Sequence, residues 1–197
     1  MSIVAETEDV VVREATVADI PQLLDMIRKL AHNEGEHAQV ETTELDLVKL
    51  LFPESLGERA NTPSGLPAAY CLVVDAPATD SDVDVDADAA SADGGPLYGM
   101  ALWYLTTSTW TGRHGIHLED LYVRSEARGL GIGKALVMTL AALCDERGYP
   151  RLEWAVQDTN DHARAFYRSL QAEEMEMWLP NRLSGHSLRR LADEVEL

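Results

Sequence analysis

Three alternate glycines lie between two basic residues in the segment RGLGIGKAL, which spans residues 128–136. A strand-like run ends shortly before this segment and a helix-like run begins within it. Unpaired backbone N–H groups and the positive end of a helix dipole therefore converge there, which favours an anion. Glycine tolerates positive φ and lets a ligand approach the backbone, while Arg128 and Lys134 add positive charge. We call residues Arg128–Lys134 the glycine loop and predict that it binds an anionic group.

Two common nucleotide-binding loops do not fit the spacing of the glycine loop. A Walker A motif ends in Gly-Lys followed by Ser or Thr, whereas Ala135 follows Lys134 here. The alternation of Gly129, Gly131 and Gly133 also differs from the G-x-G-x-x-G of dinucleotide-binding folds. A tight turn with a purely structural role is the alternative that these residues leave open.

The composition excludes several classes of partner. The chain of 197 residues carries a net charge of −18, from 34 acidic and 16 basic residues, so neither nucleic acid nor an anionic membrane is an expected partner. Segment 75–95 holds seven aspartates and no basic residue, and removing those seven charges from −18 still leaves −11. The acidic excess is therefore spread over the chain. Together with the scarcity of lysine, it suggests the hypothesis of a protein from a salt-rich cytoplasm.

Neither a membrane span nor a metal site is predicted. The sequence starts without an apolar leader, and its longest apolar run, 135–144, is about half of what a bilayer span needs. A cytoplasmic location is therefore expected. Cys71 and Cys144 lie far apart, outside any spacing typical of metal ligands or of a disulfide framework. His114 and His117 are three residues apart in a strand-like region, so ordinary polar roles are expected for both.

Apolar periodicity predicts an α/β fold in a single domain, residues 1–197, with an acidic loop insertion at about 75–95. Helix-start signals at Thr16–Pro21 introduce a helical repeat that continues from Ile20 to Ala31. A shorter helix is predicted around Leu45–Leu51, because the repeat resumes there and Pro53 follows. The first of these helices is amphipathic.

Strand signals follow these helices. Two segments rich in β-branched and aromatic residues, 68–75 and 96–106, predict neighbouring antiparallel strands. From residue 117 the order is strand, loop, helix, strand and helix, which predicts a parallel strand pair joined by a crossover. A final strand is expected at 173–179, before a short tail.

The segment LEDLYVRSEARGLGIGKAL, residues 118–136, resembles the acetyl-CoA pyrophosphate-binding segment of the GNAT N-acetyltransferases. Four further segments fall in the order seen in the diamine (spermidine/spermine) acetyltransferase branch, namely VVREATVADIPQLLDMIRKLAHNEGEHAQV, AYCLVV, STWTGR and VQDTNDHARAFYRSL. The resemblance covers most of the chain except 75–95 and the C-terminal tail. It implies a GNAT fold, in which a mixed, mostly antiparallel central sheet contains a splayed parallel strand pair and is flanked by helices.

The resemblance implies acetyl-CoA as the co-substrate. In the family, backbone groups of the splayed strand bond the pantetheine arm, the glycine loop cradles the pyrophosphate, and an asparagine at the start of the next helix meets the cofactor. The matching positions are Leu121, Tyr122 and Val123 for the arm, Arg128, Gly129, Leu130, Gly131, Ile132, Gly133 and Lys134 for the pyrophosphate, and Asn160 with Asp161, His162 and Ala163 for the helix start.

Basic residues near the glycine loop are expected to offset the acidic net charge. Arg124, Arg128 and Lys134 flank the loop, and Arg164 and Arg168 lie on the next predicted helix. Acetyl-CoA is a multiply charged anion, so these cations are predicted to bind it at contact range, where salt screens them least.

The resemblance assigns the chemistry to two side chains. Glu119 matches the glutamate of the family's LED strand and is predicted to take a proton from the amine, directly or through water, because an ammonium ion has no lone pair. Asp120 follows it in a strand and is therefore expected on the opposite face, where it does not share this task. Tyr167 matches the tyrosine that protonates the departing thiolate. The alternatives are surface carboxylates and a packed core aromatic.

The family's acceptor-side positions hold acidic and aromatic residues, which suit a cationic amine. They are Asn33, Glu34, Trp110, Glu119, Glu153 and Trp154. Ser108 stands where polyamine-specific members carry an aspartate, which makes STWTGR more similar to members that acetylate thialysine. Asn33 replaces a tyrosine or phenylalanine, and Gln171 replaces the glycine that usually follows the helix of the catalytic tyrosine.

The sequence therefore predicts an acetyl-CoA-dependent N-acetyltransferase that acts without a metal. Its acceptor would be the primary amine of a small molecule, either a diamine or polyamine or a thialysine-like amine, which attacks directly in a ternary complex. Acetylation of a protein N-terminus or lysine is one alternative, and a non-catalytic acyl-CoA sensor on the same fold is another. Members of this branch form homodimers, so a homodimer is expected.

Overall fold

The computed structural model describes residues 4–7, 10–57, 62, 66–76 and 95–195. The chain forms two compact units, which divide between Ala155 and Val156. Of the acidic loop predicted at about 75–95, residues 77–94 lie outside the described residues. That the whole chain acts as one domain stays a prediction.

The first unit is built on a sheet of six strands that lie side by side in chain order. All neighbouring strands are antiparallel except the last pair, so the mixed, mostly antiparallel sheet is confirmed. The strands are β1 (Val4–Thr7), β2 (Val10–Glu14), β3 (Tyr70–Asp75), β4 (Leu97–Ser108), β5 (Arg113–Val123) and β6 (Leu152–Trp154). Sequence patterning indicates all of them except β1, and it places the start of β5 a few residues late.

Helices flank both faces of this sheet. They are α1 (Ile20–Asn33), α2 (Glu44–Leu51) and α3 (Ile132–Arg147). The apolar sides of α1 and α2 join residues of β3, β4 and β5 in one buried cluster. On the opposite face, Ile132 and Leu136 of α3 approach Gly99 of β4 so closely that an added Cβ there would lie 2.9 Å from Ile132. The three helices confirm the predicted arrangement.

β5 and β6 form the predicted parallel pair, and α3 is the crossover between them. They are paired only over Ile116–Leu118 and Leu152–Trp154, whereas β5 continues to Val123. Within the described part of the first unit, the edge of β5 beyond Leu118 therefore has no strand partner on that side. Its backbone N–H and C=O groups are available to bind something else, apart from the Val123 carbonyl, which accepts a hydrogen bond from Arg128 Nε at 3.3 Å.

A β-bulge interrupts the pairing of β5 with β4. The register passes from Leu102 opposite Asp120 to Trp103 opposite Leu118, so Glu119 is an extra residue with no counterpart on β4. A bulge of this kind bends the strand and changes which side chains share a face.

The effect of the bulge is visible in His117 and Asp120, which lie before and after it on β5. His117 is opposite Tyr104 and Asp120 is opposite Leu102, and both of these β4 residues pack against the cluster formed with α1 and α2. In a regular strand, His117 and Asp120 are three residues apart and would point to opposite faces. The bulge instead brings them to the same face.

The second unit contains α4 (Asp161–Ser169) and α5 (Gly185–Ala192), joined by irregular segments. The prediction of a final strand at 173–179 is wrong, because the segment forms turns and irregular structure. A strand is stable only beside a hydrogen-bonding neighbour, and the described residues of this unit contain no other strand. The apolar side chains of the segment are exposed instead, Met177 to 90%.

Candidate active site

The glycine loop has the backbone conformation that its sequence predicts. Gly129 and Gly131 have φ values of 83° and 78°, in the left-handed region that favours glycine. An added Cβ would meet no atom within 4 Å at either position, so conformation rather than space requires glycine there. Gly131 directly precedes α3, whose first turn holds no acidic residue. The first N–H groups of α3 and its positive end therefore suit an anion.

The basic residues around the glycine loop differ in what they already bind. Arg128 and Lys134 are exposed at its two ends. Arg124 is only 5% exposed, and its Nε donates to the Leu97 carbonyl at 2.7 Å while its Nη1 donates to Asp25 Oδ2 at 2.9 Å. Arg124 thus ties the end of β5 to β4 and α1. Its predicted role in binding acetyl-CoA at contact range is wrong, because the side chain is buried and its guanidinium already binds Asp25 and the Leu97 carbonyl.

The residues predicted to bond the pantetheine arm lie on the unpaired end of β5. The Tyr122 side chain is buried in the core cluster, and those of Leu121 and Val123 are partly buried. Their side chains hold the strand in place, so only backbone groups of this edge are offered to a ligand. The strand then enters the turn Ser125–Ala127 and the glycine loop. The predicted arm-binding and pyrophosphate-binding segments are therefore continuous.

Carboxylates gather on the face of the sheet that α1 covers. The pKa of Asp120 is raised to about 6, mainly by burial and then by the nearby charges of Glu119 and Glu34. Glu119 is more open, with 54% of its side chain exposed. On β6, Glu153 pairs with His117 and so lies on this side as well. We call Glu34, Glu119, Asp120 and Glu153 the acidic face.

The expectation that Glu119 and Asp120 point to opposite faces is wrong. Glu119 Oε2 lies 3.7 Å from Nε2 of His117, which shares a face with Asp120. Burial and then the charge of Glu119 raise the pKa of Tyr104, the stacking partner of His117. The bulge explains the difference, because an extra residue breaks the alternation on which the expectation rests.

Two rings line the acidic face beside the carboxylates. His117 and Tyr104 stack with their centroids 5.0 Å apart and their planes inclined by 27°. Glu153 Oε2 forms an ion pair with Arg151 Nε at 2.9 Å. Arg151 packs so closely on Gly115 of β5 that an added Cβ would lie 2.7 Å from its Cγ. Sequence analysis treats His117 as an ordinary polar residue, because only the register brings it to this face.

The two tryptophans predicted on the acceptor side do not lie on the acidic face of their own chain. Trp110 is at the tip of the β4–β5 hairpin and is 91% exposed. It is seven residues beyond Trp103, so at about 3.4 Å per residue it lies roughly 20 Å from the bulge. Trp154 pairs with Leu118, whose side chain points to the other face of the sheet from His117.

Asn33 and Glu34 lie where α1 ends. Both are largely exposed, and partial burial followed by the charge of Glu36 raises the pKa of Glu34. Glu34 acts on the pKa of Asp120, which brings the end of α1 into the electrostatic range of the acidic face. For Asn33 the structure gives no comparable link.

Four of the predicted cofactor-binding residues belong to the second unit, at the start of α4. Asn160 precedes the helix, and its Oδ1 accepts a hydrogen bond from the Ala163 N–H at 3.1 Å. This N-cap fixes where the helix begins. Asp161 and His162 are exposed in the first turn and Ala163 is partly buried.

Tyr167 lies near the end of α4, partly buried, with its ring centroid 5.1 Å from that of Phe166. The helix ends in a Schellman motif, in which the Ala172 N–H donates to the Tyr167 carbonyl at 3.2 Å and the Gln171 N–H to the Arg168 carbonyl at 3.0 Å. Gln171 has a φ of 65°, in the left-handed region. The turn therefore forms with glutamine in the position where the family resemblance leads one to expect glycine.

The two arginines of α4 are already partnered within the second unit. Glu174 Oε2 accepts from Arg164 Nη2 at 2.8 Å, and Glu174 Oε1 accepts from Arg168 Nη1 at 3.3 Å. The hydrogen bond from Arg164 is the main cause that lowers the pKa of Glu174. Arg164 Nη1 also donates to the Asp158 carbonyl at 2.9 Å. Of the five cations predicted for acetyl-CoA, Arg128 and Lys134 are thus the most available.

Neither thiol nor metal chemistry is suggested by the described residues. Cys71 and Cys144 are free and buried, and burial raises the pKa of both thiols. Over the described ranges, no group of three His, Cys, Asp or Glu residues could hold a metal ion. The helices of the same ranges are too short or too polar to cross a membrane.

Known proteins resemble this chain in sequence and in fold. The model of the Acetyltransferase (GNAT) family matches residues 85–171. A thialysine N-epsilon-acetyltransferase of Sus scrofa is 33% identical over 93% of this chain and 97% of its own length. An L-ornithine N5-acetyltransferase of Arabidopsis thaliana is 26% identical over 91% and 86%. Among solved structures, an integron cassette protein from the mobile metagenome of V. cholerae aligns with a TM-score of 0.64 and 21% identity, over 94% of this chain and 99% of that one, which supports the fold.

Proposed function

Because this chain belongs to the GNAT acetyltransferase family and is therefore an N-acetyltransferase, we propose that it acetylates the primary amine of a small cationic molecule. Acetyl-CoA, the co-substrate of the family, is the acetyl donor. One observation carries the proposal: β5 holds the acidic face at its bulge, at Glu119, and leads into the anion-binding glycine loop, which begins nine residues later at Arg128. A site for a cation and a site for an anion thus lie along one strand.

The donor side suits acetyl-CoA because it offers backbone N–H groups and accessible cations. The glycine loop, with left-handed Gly129 and Gly131, would hold the pyrophosphate, and Arg128 and Lys134 would pair with its charge. The unpaired edge of Leu121–Val123 would hold the pantetheine arm. By resemblance, Asn160–Ala163 of the second unit would add a further contact. When bound, acetyl-CoA supplies the thioester carbonyl that a neutral amine can attack.

The acidic face supports a cationic acceptor with more than one polar end. A carboxylate can bind one ammonium group of a diamine, a polyamine or a thialysine-like amine while another takes part in the reaction. Glu34, directly after α1, and Glu153, on β6, suit the binding role because both belong to the acidic face but lie outside β5. The relatives named for thialysine and L-ornithine point to the same class of small amine.

Two carboxylates of the acidic face could take the proton that the ammonium must lose. Sequence resemblance selects Glu119. The structure adds Asp120, because a carboxyl group whose pKa is raised to about 6 is a stronger base than an exposed one. We therefore propose that Asp120 and Glu119 act as a pair, in which Asp120 takes the proton and the more exposed Glu119 returns it to solvent. The neutral amine then attacks the carbonyl directly, in a ternary complex.

Tyr167 is proposed, from its match to the family, as the group that protonates the departing thiolate. Tyr167→Phe removes only the hydroxyl, so kcat should fall by about a hundredfold while both KM values change little. Steady-state rates of thiol release measure this. Tyr149→Phe, a change outside the site, should leave kcat unaffected, and an unchanged kcat in Tyr167→Phe would remove the residue from the mechanism.

A homodimer is also proposed, because the second unit exposes many apolar side chains. A monomer seldom leaves such a concentration open to water. The residues are Met175, Met177, Trp178, Leu179, Leu183, Leu188, Leu191 and Val195. A second copy could also bring its Trp110 to an acidic face that this tryptophan does not reach within its own chain. Light scattering after gel filtration should give twice the chain mass of 21.7 kDa, and a monomer at micromolar concentration would contradict the proposal.

An amine panel tests the proposed function and separates its rivals. Thiol release should be fastest with one of spermidine, putrescine, thialysine or lysine, and slow with a peptide that offers only an N-terminus. A faster peptide would favour the protein acetyltransferase, and acetyl-CoA binding without turnover on any amine would favour the sensor. Initial rates with both substrates varied should give intersecting lines, as a ternary complex requires. Repeating the panel at low and high KCl examines the salt adaptation, which stays a prediction, as does the cytoplasmic location.

A further inference from the structure

His117 is a histidine of β5 that lies on the acidic face. Its ring is held by the stack on Tyr104, 5.0 Å away, and 25% of its side chain is exposed. Its Nε2 lies 3.7 Å from Glu119 Oε2. At this distance a small side-chain rotation is enough for a charged hydrogen bond.

The groups around this imidazole are mostly acids, and they come from each neighbouring strand. The titratable and charged residues that face it are Tyr104 from β4, Glu119 and Asp120 from β5, Glu153 and Arg151 from β6, and Glu34 from the end of α1 through its effect on Asp120. Among these groups a histidine differs in kind, because imidazole changes its charge between about pH 5 and 8. The acidic face therefore contains a switchable cation.

We propose that His117 controls access of the cationic amine to the acidic face, binding Glu119 itself when it is protonated and releasing Glu119 to the amine when it is neutral. The inference rests on the proposed function, since it supposes that the acidic face binds the acceptor. The protonated ring donates Nε2–H to Glu119 and adds a positive charge beside the incoming ammonium. The neutral ring does neither, and with Tyr104 it offers an aromatic surface that suits a cation.

The consequence is an extra proton in the pH dependence of amine binding. As the pH falls, Asp120 takes up a proton and the amine loses one carboxylate. Protonation of His117 removes a second carboxylate, Glu119, from the amine. Each linked proton can change the amine KM by up to about tenfold per pH unit. Acetyl-CoA binds at the glycine loop, so its KM should not follow His117.

The test compares His117→Phe, which keeps a ring on Tyr104 but cannot be charged, with His114→Gln. His114 is an exposed histidine on the same strand, near Tyr149 rather than the acidic face, and so is a matched control. Both KM values would be measured with putrescine and acetyl-CoA between about pH 5 and 8. From high to low pH, the amine KM should rise about tenfold less in His117→Phe than in the wild type or in His114→Gln. The acetyl-CoA KM should depend on pH equally in all three.

An equal rise of the amine KM in His117→Phe and the wild type would overturn the inference. His117→Gln serves as a second uncharged variant if His117→Phe lowers the thermal midpoint. The dissociation constant of putrescine, measured by calorimetry over the same pH range, keeps this outcome separate from the proposed function. Putrescine that binds with the His117-dependent pH profile but is not acetylated would contradict the proposed function alone. Putrescine that binds at no pH would overturn both.

Discussion

The glycine loop and the acidic face are neighbours on β5 but are built in different ways. The loop is defined by its backbone, with left-handed Gly129 and Gly131 followed by the start of α3. The acidic face is defined by side chains that a bulge at Glu119 brings together from separate elements. A site made of backbone groups is determined by consecutive residues, whereas a site made of side chains depends on the register of the strands that carry them. The comparison teaches that the donor side can be recognised from a motif and the acceptor side cannot.

The largest effect should come from the acidic face. Asp120→Asn removes the buried carboxylate, so kcat/KM for the amine should fall by about 10²- to 10⁴-fold, the usual contribution of a general base. The wild type is expected to lose activity as the pH falls through about 6, and in Asp120→Asn this loss should move or disappear. Thiol release across a pH series measures both.

Asp120→Asn also tests how the charge of Asp120 affects the stability of the folded protein. The pKa of Asp120 is raised above that of an unfolded aspartate, so its charged form destabilises the folded protein above about pH 6. Asp120→Asn should therefore unfold at higher temperature than the wild type at pH 8, and this difference should shrink as the pH falls through 6. Asp145→Asn changes an exposed residue of α3, so it should alter neither the activity nor the pH dependence of the unfolding temperature. Full activity of Asp120→Asn would leave Glu119 as the base alone.

An intermediate effect is expected at the glycine loop, and it should be confined to the other substrate. Arg128→Ala removes an exposed cation from the predicted pyrophosphate site, so the acetyl-CoA KM should rise about tenfold while the amine KM hardly changes. Arg147→Ala removes an arginine from the last turn of α3, at the opposite end of that helix from the glycine loop, and should leave both KM values unchanged. Equal changes in both KM values for Arg128→Ala would erase the distinction between the two regions.

The smallest effect is expected at Gln171, which has a left-handed backbone conformation that glycine usually adopts. Gln171 is held at a φ of 65° by the Schellman motif that ends α4. Gln171→Gly removes this strain and should stabilise the second unit by up to about 1 kcal/mol, whereas Gln171→Ala keeps the strain and should not. Hydrogen exchange of the Ala172 N–H reports the local change. Equal protection in both variants would show that side-chain identity there has little energetic weight.

Several features of the fold could be predicted from the sequence alone. The helix that begins within the glycine loop and the left-handed glycines before it follow from local chemistry, and the structure confirms them. The parallel pair of β5 and β6 follows from the alternation of strand and helix. These features need no knowledge of distant parts of the chain.

The wrong expectations all involve partners that are distant in the sequence or lacking. Asp120 joins Glu119 on one face because β4 imposes the bulge. Arg124 is withdrawn from the loop by Asp25, ninety-nine residues earlier in the chain. Segment 173–179 has strand-like composition but no neighbouring strand among the described residues of its unit. In each case the outcome is set by a contact, and one sequence does not reveal contacts.

The most direct test of the central claim, that an acidic face selects the amine, varies only the far end of the acceptor. Putrescine, the amino alcohol of the same length and γ-aminobutyrate share a primary amine but end in a cation, a neutral group and an anion. The kcat/KM for acetyl transfer should fall by about tenfold or more at each of the two steps. Equal kcat/KM values, or a preference for γ-aminobutyrate, would contradict the account.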